Sequence, residues 1–207
     1  MLLVGACSPK PGSTVESARQ RWDRFWTRKH SVPEDLVNTK PNPFLKEVVR
    51  GRHPGATLDV GMGSGRNSIF LAQEGWDVTG VDISGVAVES SLQRASELGL
   101  KLNAIRQDAQ KFDFGIDRWD LVVLMYVGVP QPEVIRRIYE SLRPGGLVIL
   151  EHYHRDYPGS EHVQGLEPSE LLRLFSEFKI LLCEKVVIKP DWDAEEGPMV
   201  RLLAEKP

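Results

Sequence analysis

The chain has 207 residues, of which 41% are hydrophobic, and its formal net charge is −3. This length and composition predict one globular domain, and no low-complexity segment or internal repeat divides the sequence. The charge lacks the basic excess that a nucleic-acid-binding surface requires. Two cysteines, Cys7 and Cys183, are too few for a disulfide framework or a Cys-x-x-Cys metal site, so we expect free thiols in a reducing compartment.

Residues 1–13 are predicted to form a disordered leader. The run Met1–Cys7 is similar to the end of a lipoprotein signal, but it has no basic region and its apolar part is too short for a signal peptide. A lipidated Cys7 is the alternative if the sequence given is truncated upstream.

Residues 14–51 are predicted to form an amino-terminal helical cap. Trp22, Phe25 and Trp26 lie on one face of its first helix at helical spacing. These aromatic residues either pack the helix against the body of the domain or make it a lid that excludes water from a ligand. The sequence leaves both interpretations open. A second helix begins near Pro43, where a missing N–H costs little.

The segment Thr57–Asn67 predicts a strand, a glycine turn and the start of a helix. Arg66 occupies the place of the third glycine in the dinucleotide fingerprint, which argues against a nicotinamide or flavin cofactor. Asp59 is either a turn-forming residue or an anion for the ammonium group of a ligand. The glycines of the turn alternate, at Gly61, Gly63 and Gly65.

Taken with Asp59, this segment resembles the first motif of the class I S-adenosylmethionine (SAM)-dependent methyltransferases. The resemblance implies a doubly wound α/β fold with seven mostly parallel strands, of which the last is antiparallel. It also implies SAM as the cofactor and S-adenosylhomocysteine (SAH) as its product. The residues that it assigns to the methionine part of SAM are Asp59, Gly61, Met62, Gly63, Gly65 and Asn67.

Three further segments are similar to a bacterial group of small methyltransferases that includes tellurite-resistance and thiopurine-type enzymes. They are Trp22–Asp23, Pro41–Leu45 and Gly65–Ser68. If the first helix is the lid described above, Trp22 and Trp26 are candidates for contact with the substrate.

Asp82 follows the predicted strand Trp76–Val81, about twenty residues beyond the glycine turn, where a carboxylate can accept hydrogen bonds from both ribose hydroxyls. The competing role, a helix N-cap, falls to Ser84. We expect Asp82→Ala to weaken SAM binding and to leave the fold intact, because Asp82 is placed at a rim. Ile83 lies either against the adenine or in the core.

A helix over Val86–Leu98 and a strand over Lys101–Arg106 come next, followed by Asp108 and Ala109. The resemblance assigns the Asp108 carboxylate to the adenine amino group and the Ala109 backbone N–H to a ring nitrogen. A turn-forming Asp is the alternative role of Asp108.

The segment Trp119–Tyr126 is the most apolar run, which is typical of a central parallel strand. Ligands bind beyond the carboxyl ends of such strands, so Tyr126 either orients the substrate or is a half-buried tyrosine with a satisfied hydroxyl. The segment Val127–Pro130 contains neither of the motifs that methyltransferases use on nucleic-acid bases, Asn/Asp-Pro-Pro-aromatic and Pro-Cys.

The second half is predicted to contain a helix over Glu133–Leu142 and a strand over Leu147–Glu151 that ends at His152, Tyr153 and His154. Either histidine is a candidate general base, and Tyr153 is a candidate substrate contact. The alternative is that these histidines only bond to loops, and no metal is predicted because the cluster offers too few ligands. The remaining predictions are a flap over Arg155–Glu167, a helix over Pro168–Phe178 and strands over Lys179–Ile188 and Met199–Glu205.

The predicted function is transfer of the SAM methyl group to a small-molecule acceptor by in-line displacement, within one domain over residues 14–207. The cofactor supplies the reactivity and the protein supplies alignment and a dry site. The alternatives are a protein or RNA acceptor, or a non-catalytic SAM-binding domain. We expect a cytoplasmic monomer or homodimer with no nucleic-acid or membrane partner.

Overall fold

The computed structural model describes residues 15–30, 38–128, 131–158, 164–192 and 195–207. The predicted leader and the middle of the predicted flap lie outside these ranges. The described helices are α1 (Val15–His30), α2 (Pro43–Val49), α3 (Arg66–Gln73), α4 (Gly85–Glu97), α5 (Pro132–Ser141) and α6 (Pro168–Leu174). The strands are β1 (Ala56–Val60), β2 (Asp77–Asp82), β3 (Asn103–Arg106), β4 (Trp119–Met125), β5 (Leu142–Tyr153), β6 (Lys179–Ile188) and β7 (Gly197–Glu205).

The strands form one seven-stranded sheet in the order β3-β2-β1-β4-β5-β7-β6. Strand β2 pairs in parallel with β1 and β3, and β4 pairs in parallel with β5. Strand β7 is antiparallel to both of its neighbours. The structure therefore confirms the predicted α/β class and the antiparallel last strand. None of the described helices combines the length and hydropathy needed to cross a membrane.

The chain divides into two compact units, and the boundary lies between Phe112 and Asp113. The first unit holds α1 to α4 and β1 to β3. Strands β1 and β2 are buried along nearly their whole length, as expected for parallel strands covered on both faces. Gly75 follows α3 with φ of 89°, and Ser84 caps α4, as predicted, by accepting from the N–H of Ala87.

The second unit holds β4 to β7, α5 and α6. The pairing of β5 with β4 jumps from Leu142 to Leu147, so residues 143–146, between the predicted helix and strand, lie inside one long, irregular strand. Helix α6 begins at Pro168, as predicted, but it ends earlier than predicted. Its cap is Glu167, which forms a reciprocal capping box with Glu170, and the helix stops at Leu174, four residues early.

Candidate cofactor site

The glycine turn is fastened to the end of β2. The backbone N–H groups of Gly61 and Met62 both donate to the carbonyl of Val81, over 2.8 and 3.2 Å. Gly61, Gly63 and Gly65 have φ of 68°, 57° and 80°, a left-handed conformation that glycine adopts without steric cost. The predicted tight turn is therefore present, and its position is fixed relative to Asp82 at the end of the same strand.

Asp82 accepts hydrogen bonds from both sides of this turn. Its Oδ2 accepts from the N–H of Gly63 over 2.9 Å, and its Oδ1 accepts from the N–H of Ser84 over 2.8 Å. A carboxylate has about four acceptor positions, so acceptor capacity remains for a ribose hydroxyl. The residue is 9% exposed, which leaves a small edge open to a ligand.

The burial of Asp82 corrects the expectation about its replacement. We predicted from the sequence that Asp82→Ala would leave the fold intact because Asp82 lay at a rim. The side chain is in fact buried, and its removal would leave the N–H groups of Gly63 and Ser84 without their acceptor. Each unsatisfied buried group costs about 1–3 kcal/mol, so the alanine variant should be destabilised.

Burial also raises the pKa of two carboxyl groups in this unit. Desolvation raises the pKa of Asp82 to about 6, although the N–H groups of Ser84 and Gly63 favour its charged form. Desolvation likewise raises the pKa of Asp59 to about 6, against the effects of the Ser68 hydroxyl and the Arg66 charge. Both carboxyl groups therefore change charge between about pH 5 and 7.

Asp59 is held inside the unit by α3. Its Oδ2 accepts from the Ser68 hydroxyl over 2.6 Å, and the residue is only 2% exposed. This bond joins β1 to α3, the two elements that flank the glycine turn. The contact favours a positioning role for Asp59 over direct contact with a ligand ammonium group.

Arg66 and Asn67, the first two residues of α3, hold the segment that leads into α2. Arg66 donates from Nη1 to the carbonyl of Lys40 over 3.0 Å, and Asn67 Oδ1 accepts from the N–H of Asn42 over 2.9 Å. Asn42 in turn caps α2 by accepting from the N–H of Leu45. Arg66, at the third-glycine position, thus holds the segment before α2 in place. Asn67 Oδ1 already accepts a hydrogen bond within the fold.

Met62 fills the space that Gly80 leaves on β2. A Cβ atom at Gly80 would lie 2.0 Å from the Met62 sulfur, and Met62 is buried. No sequence pattern singles out Gly80, because a glycine inside a strand indicates only a weak point of the sheet.

Ile83, Asp108 and Ala109 lie at the ends of neighbouring strands, where the family resemblance places the adenosine. All three are partly exposed. Asp108 Oδ1 accepts from the N–H of Gln110 over 3.0 Å, which is the turn-forming role that the sequence left open. That bond leaves acceptor capacity on the carboxylate, so the turn and the predicted adenine contact are compatible.

Helix α1 contacts the glycine turn through Trp26. A Cβ atom at Gly63 would lie 2.4 Å from Cζ2 of Trp26, so only glycine fits below the indole. Trp26 is 6% exposed, whereas Trp22 is partly exposed and meets Phe25 edge to face. Asp23, between the two tryptophans, accepts a hydrogen bond from the Ser84 hydroxyl over 2.6 Å.

In the second unit, Tyr126 belongs to a buried polar network. Its hydroxyl donates to Glu151 Oε1 over 2.8 Å and accepts from the N–H of Asp191 over 3.1 Å. Glu151 Oε2 in turn accepts from Nε of Arg201 over 2.8 Å. Burial, followed by the Glu151 charge, raises the pKa of Tyr126 well above its usual value. Of the two roles predicted for Tyr126, these contacts favour a structural tyrosine with a satisfied hydroxyl over one that orients the substrate.

His152 and Tyr153 lie within the core of the second unit, exposed by 0% and 1%. Tyr153 makes ring contacts with Tyr126, His152 and Tyr157. This burial favours packing over substrate contact for Tyr153.

Both ring nitrogens of His154 are engaged by hydrogen bonds. Nδ1 accepts from the N–H of Asp156 over 3.0 Å, which leaves the proton of the neutral ring on Nε2, 3.1 Å from Glu167 Oε2. The structure thereby groups His154 with two carboxylates that the sequence did not connect to it, and the ligand atoms of the three lie within 4.8 Å of one another. Lys185 bonds to Asp156 over 2.7 Å and supplies a positive charge at this cluster.

Sequence reasoning missed the residues that hold the site in place. Ser68, Asn42 and Glu151 are partners of predicted residues, yet each lies several residues or strands away along the chain. Ser84 was recognised only as a cap. No local pattern pairs it with Asp23, which is 61 positions earlier.

Comparison with known proteins supports the family resemblance described from the sequence. Residues 57–146 match a family model described as a methyltransferase domain. Hemagglutinin 1 of Eikenella corrodens is 29% identical over 195 residues, which cover 88% of this chain and 63% of that protein. The ubiquinone biosynthesis O-methyltransferase of Coxiella burnetii is 28% identical over 148 residues, which cover 66% of this chain and 62% of that protein. The chain thus spans less than two thirds of the length of these relatives.

Solved structures agree with the fold. TehB from Haemophilus influenzae superposes with a TM-score of 0.70 at 16% identity, covering 90% of this chain and 67% of that chain. The magnesium protoporphyrin IX methyltransferase of Synechocystis PCC 6803 with bound SAH gives a TM-score of 0.68 at 20% identity, covering 93% of this chain and 99% of that chain.

The sheet order, the glycine turn and the family match together define a class I methyltransferase fold. Residues 57–146 match a methyltransferase domain and the fold is similar to that of a SAH-bound methyltransferase, so the resemblance predicted from the sequence is confirmed.

Proposed function

We propose that this chain transfers the methyl group of SAM to a small-molecule acceptor. The observation that carries the proposal is the carboxyl group of Asp82, which the N–H groups of Gly63 and Ser84 hold at the end of β2. A charged acceptor beside a turn of left-handed glycines suits the ribose of a nucleoside. The match of residues 57–146 to a methyltransferase domain supports the reaction type.

The residues of the first unit divide into two proposed roles. Asp82, Ile83, Asp108 and Ala109 are proposed to hold the adenosine, and the turn over residues 61–65 is proposed to meet the methionine part. Asp59 and Asn67 are proposed to position that turn, since their side-chain oxygens already accept from Ser68 and Asn42.

SAM supplies an activated methyl group, so the protein does not need a nucleophile of its own. The protein then contributes alignment of the acceptor and exclusion of water. His154 could accept a proton from an acceptor only by giving up the bond between Nδ1 and the Asp156 N–H. We therefore favour acceptors that react without a strong base, such as thiolates and other anions.

The small-molecule acceptor is supported by the named activities of two similar proteins, the ubiquinone biosynthesis O-methyltransferase and the magnesium protoporphyrin IX methyltransferase. The charge of −3, which is unsuited to an RNA footprint, agrees with it. A cytoplasmic location is proposed because SAM is supplied there.

Calorimetry with SAM and SAH, followed by a methyl-transfer screen over thiols, amines, phenols and oxyanions, tests the proposal. We expect binding of both compounds and turnover of at least one small acceptor. Tight SAM binding without turnover on any acceptor would instead indicate a regulatory domain. Methylation of a protein or RNA fraction alone would replace the small-molecule acceptor. Failure to bind SAH would contradict the proposal that the chain uses SAM as its cofactor.

A further inference from the structure

Helix α1 is attached to the two residues whose N–H groups hold the Asp82 carboxyl. Trp26 lies on Gly63, and Asp23 accepts from the Ser84 hydroxyl over 2.6 Å. Gly63 and Ser84 are also the residues that donate their backbone N–H groups to Asp82. One face of α1 therefore reaches both donors of the carboxyl group at the centre of the candidate site.

Ser84 is the junction between the helix and the site. Its backbone N–H donates to Asp82, its hydroxyl donates to Asp23, and the same oxygen accepts from the N–H of Ala87 at the start of α4. The residue is fully buried. A buried hydroxyl with one proton has one donor to give, so Asp23 determines where that proton points.

The Asp23–Ser84 bond is stronger than an ordinary surface contact. Its acceptor is a carboxylate, its length is 2.6 Å, and the Asp23 side chain is 29% exposed. The Arg106 guanidinium lies 3.9 Å from the other Asp23 oxygen, but Arg106 is half-exposed and its contribution is small.

We propose that Asp23 is a positioning residue for the cofactor, which acts through Ser84 on the orientation of Asp82 and so couples the docking of α1 to the binding of SAM. This inference rests on the proposed function. It adds that the predicted helical cap takes part in cofactor affinity through a hydrogen bond as well as through its aromatic face.

Thermodynamic reciprocity makes the coupling measurable from both sides. If docked α1 favours the orientation of Asp82 that binds the cofactor, the cofactor must favour docked α1 by the same factor. SAH binding should therefore slow hydrogen exchange of the α1 amides in the wild-type chain. No increase in their protection at saturating SAH would overturn the coupling.

The mutational test compares Asp23→Leu with Asp23→Asn in the full chain. Leucine removes the acceptor for the Ser84 hydroxyl, whereas the asparagine oxygen keeps it and removes only the charge. We expect the leucine variant to bind SAH about 5-fold or more weakly, within the usual range of coupling between sites, and to lose the SAH-dependent protection of α1. The asparagine variant, which keeps a weaker, neutral acceptor, should lie between wild type and the leucine variant in both measurements.

Arg24→Leu is the matched control, because Arg24 is the adjacent, exposed residue on the same helix. It should leave SAH affinity unchanged. Unchanged affinity in a folded Asp23→Leu variant, or equal weakening by leucine and asparagine, would overturn the role of the hydrogen bond.

If the leucine variant does not fold, Ser84→Val and Ser84→Thr provide the same comparison from the other side of the bond. Threonine keeps the hydroxyl, so valine should weaken SAH binding more than threonine does. Wild-type binding without coupling refutes this inference alone, whereas a wild-type chain that fails to bind SAH refutes the proposed function with it.

Discussion

Asp82 serves the fold and the candidate site at once. Its two oxygens accept from the N–H groups of Gly63 and Ser84, and its exposed fraction is only 9%. Its sequence position predicts contact with a ribose, since a carboxyl group at the end of the second strand is typical of adenosine-binding α/β domains. Its second function, as an anchor for the glycine turn, followed only from the structure.

Asp82→Asn is predicted to weaken SAH binding about 10-fold or more. The substitution removes the negative charge and one acceptor oxygen, and hydrogen bonds to charged groups are worth about 1.5–3 kcal/mol. Isothermal titration calorimetry measures the effect. Asp77→Asn, an exposed change at the start of the same strand, is the control and should bind SAH like wild type. Wild-type affinity in folded Asp82→Asn would remove Asp82 from the site.

SAH affinity is predicted to fall below about pH 6. Burial raises the pKa of Asp82 to about 6, and the ribose hydroxyls need its ionised form as acceptor. A raised carboxyl pKa means that protonation competes with the ligand as the pH falls, so affinity should drop about tenfold between pH 7.5 and 5. Titrations with SAH across that pH interval test whether the affinity falls as the pH is lowered.

Asp59, whose pKa is also raised to about 6 by burial, provides the control for this pH dependence. Asp59→Asn removes one of the two titrating carboxyl groups and should leave an acidic decline in SAH affinity. A pH-independent affinity in Asp59→Asn would transfer the effect from Asp82 to Asp59.

Among the elements, β4, β5 and β7 meet through one buried polar network. Tyr126, just beyond β4, bonds to Glu151 on β5, and Glu151 bonds to Arg201 on β7. Tyr126 has φ of 58°, an uncommon conformation for a bulky residue that costs about 1–3 kcal/mol. The network supplies contacts that can hold the residue in this strained conformation.

Tyr126→Phe is therefore predicted to lower the free energy of unfolding by about 1–3 kcal/mol. The change leaves the buried Glu151 carboxyl and the Asp191 N–H without the hydroxyl between them. Denaturant titration measures the loss. Tyr139→Phe is the matched control, because the Tyr139 ring contacts Phe178 and Lys206 and should lose little with its hydroxyl. Equal stability of the two variants would contradict the structural role of Tyr126.

For the whole molecule, SAH is predicted to raise the melting temperature. A ligand at 100 times its Kd stabilises the native state by about 2.7 kcal/mol, which corresponds to roughly 5–10 °C for a chain of this size. Differential scanning fluorimetry over a range of SAH concentrations tests this expectation. Asp82→Asn should show a smaller shift at the same concentrations. A constant melting temperature at all SAH concentrations would contradict cofactor binding.

Much of the fold was predictable, because its signals are local. Apolar runs predicted the strands, helical spacing predicted α4 and α5, and alternating glycines predicted the tight turn. The Asp82 position follows from the same local order of strand and turn. The carboxyl end of α6 was predicted less well, and its cap rests on a reciprocal bond between Glu167 and Glu170 that periodicity does not indicate.

Local pattern, together with the family resemblance that it carries, was therefore enough to predict the α/β class and to name the strand ends at which SAM is proposed to bind. Only the tertiary structure decided the partners of those residues, since the bonds from Ser84 to Asp23 and from Tyr126 to Glu151 join positions 61 and 25 residues apart. The hydrophobic periodicity of the sequence does not indicate such pairs. They form where packing brings two buried polar groups together, because a polar group removed from water costs free energy unless it has a hydrogen-bond partner.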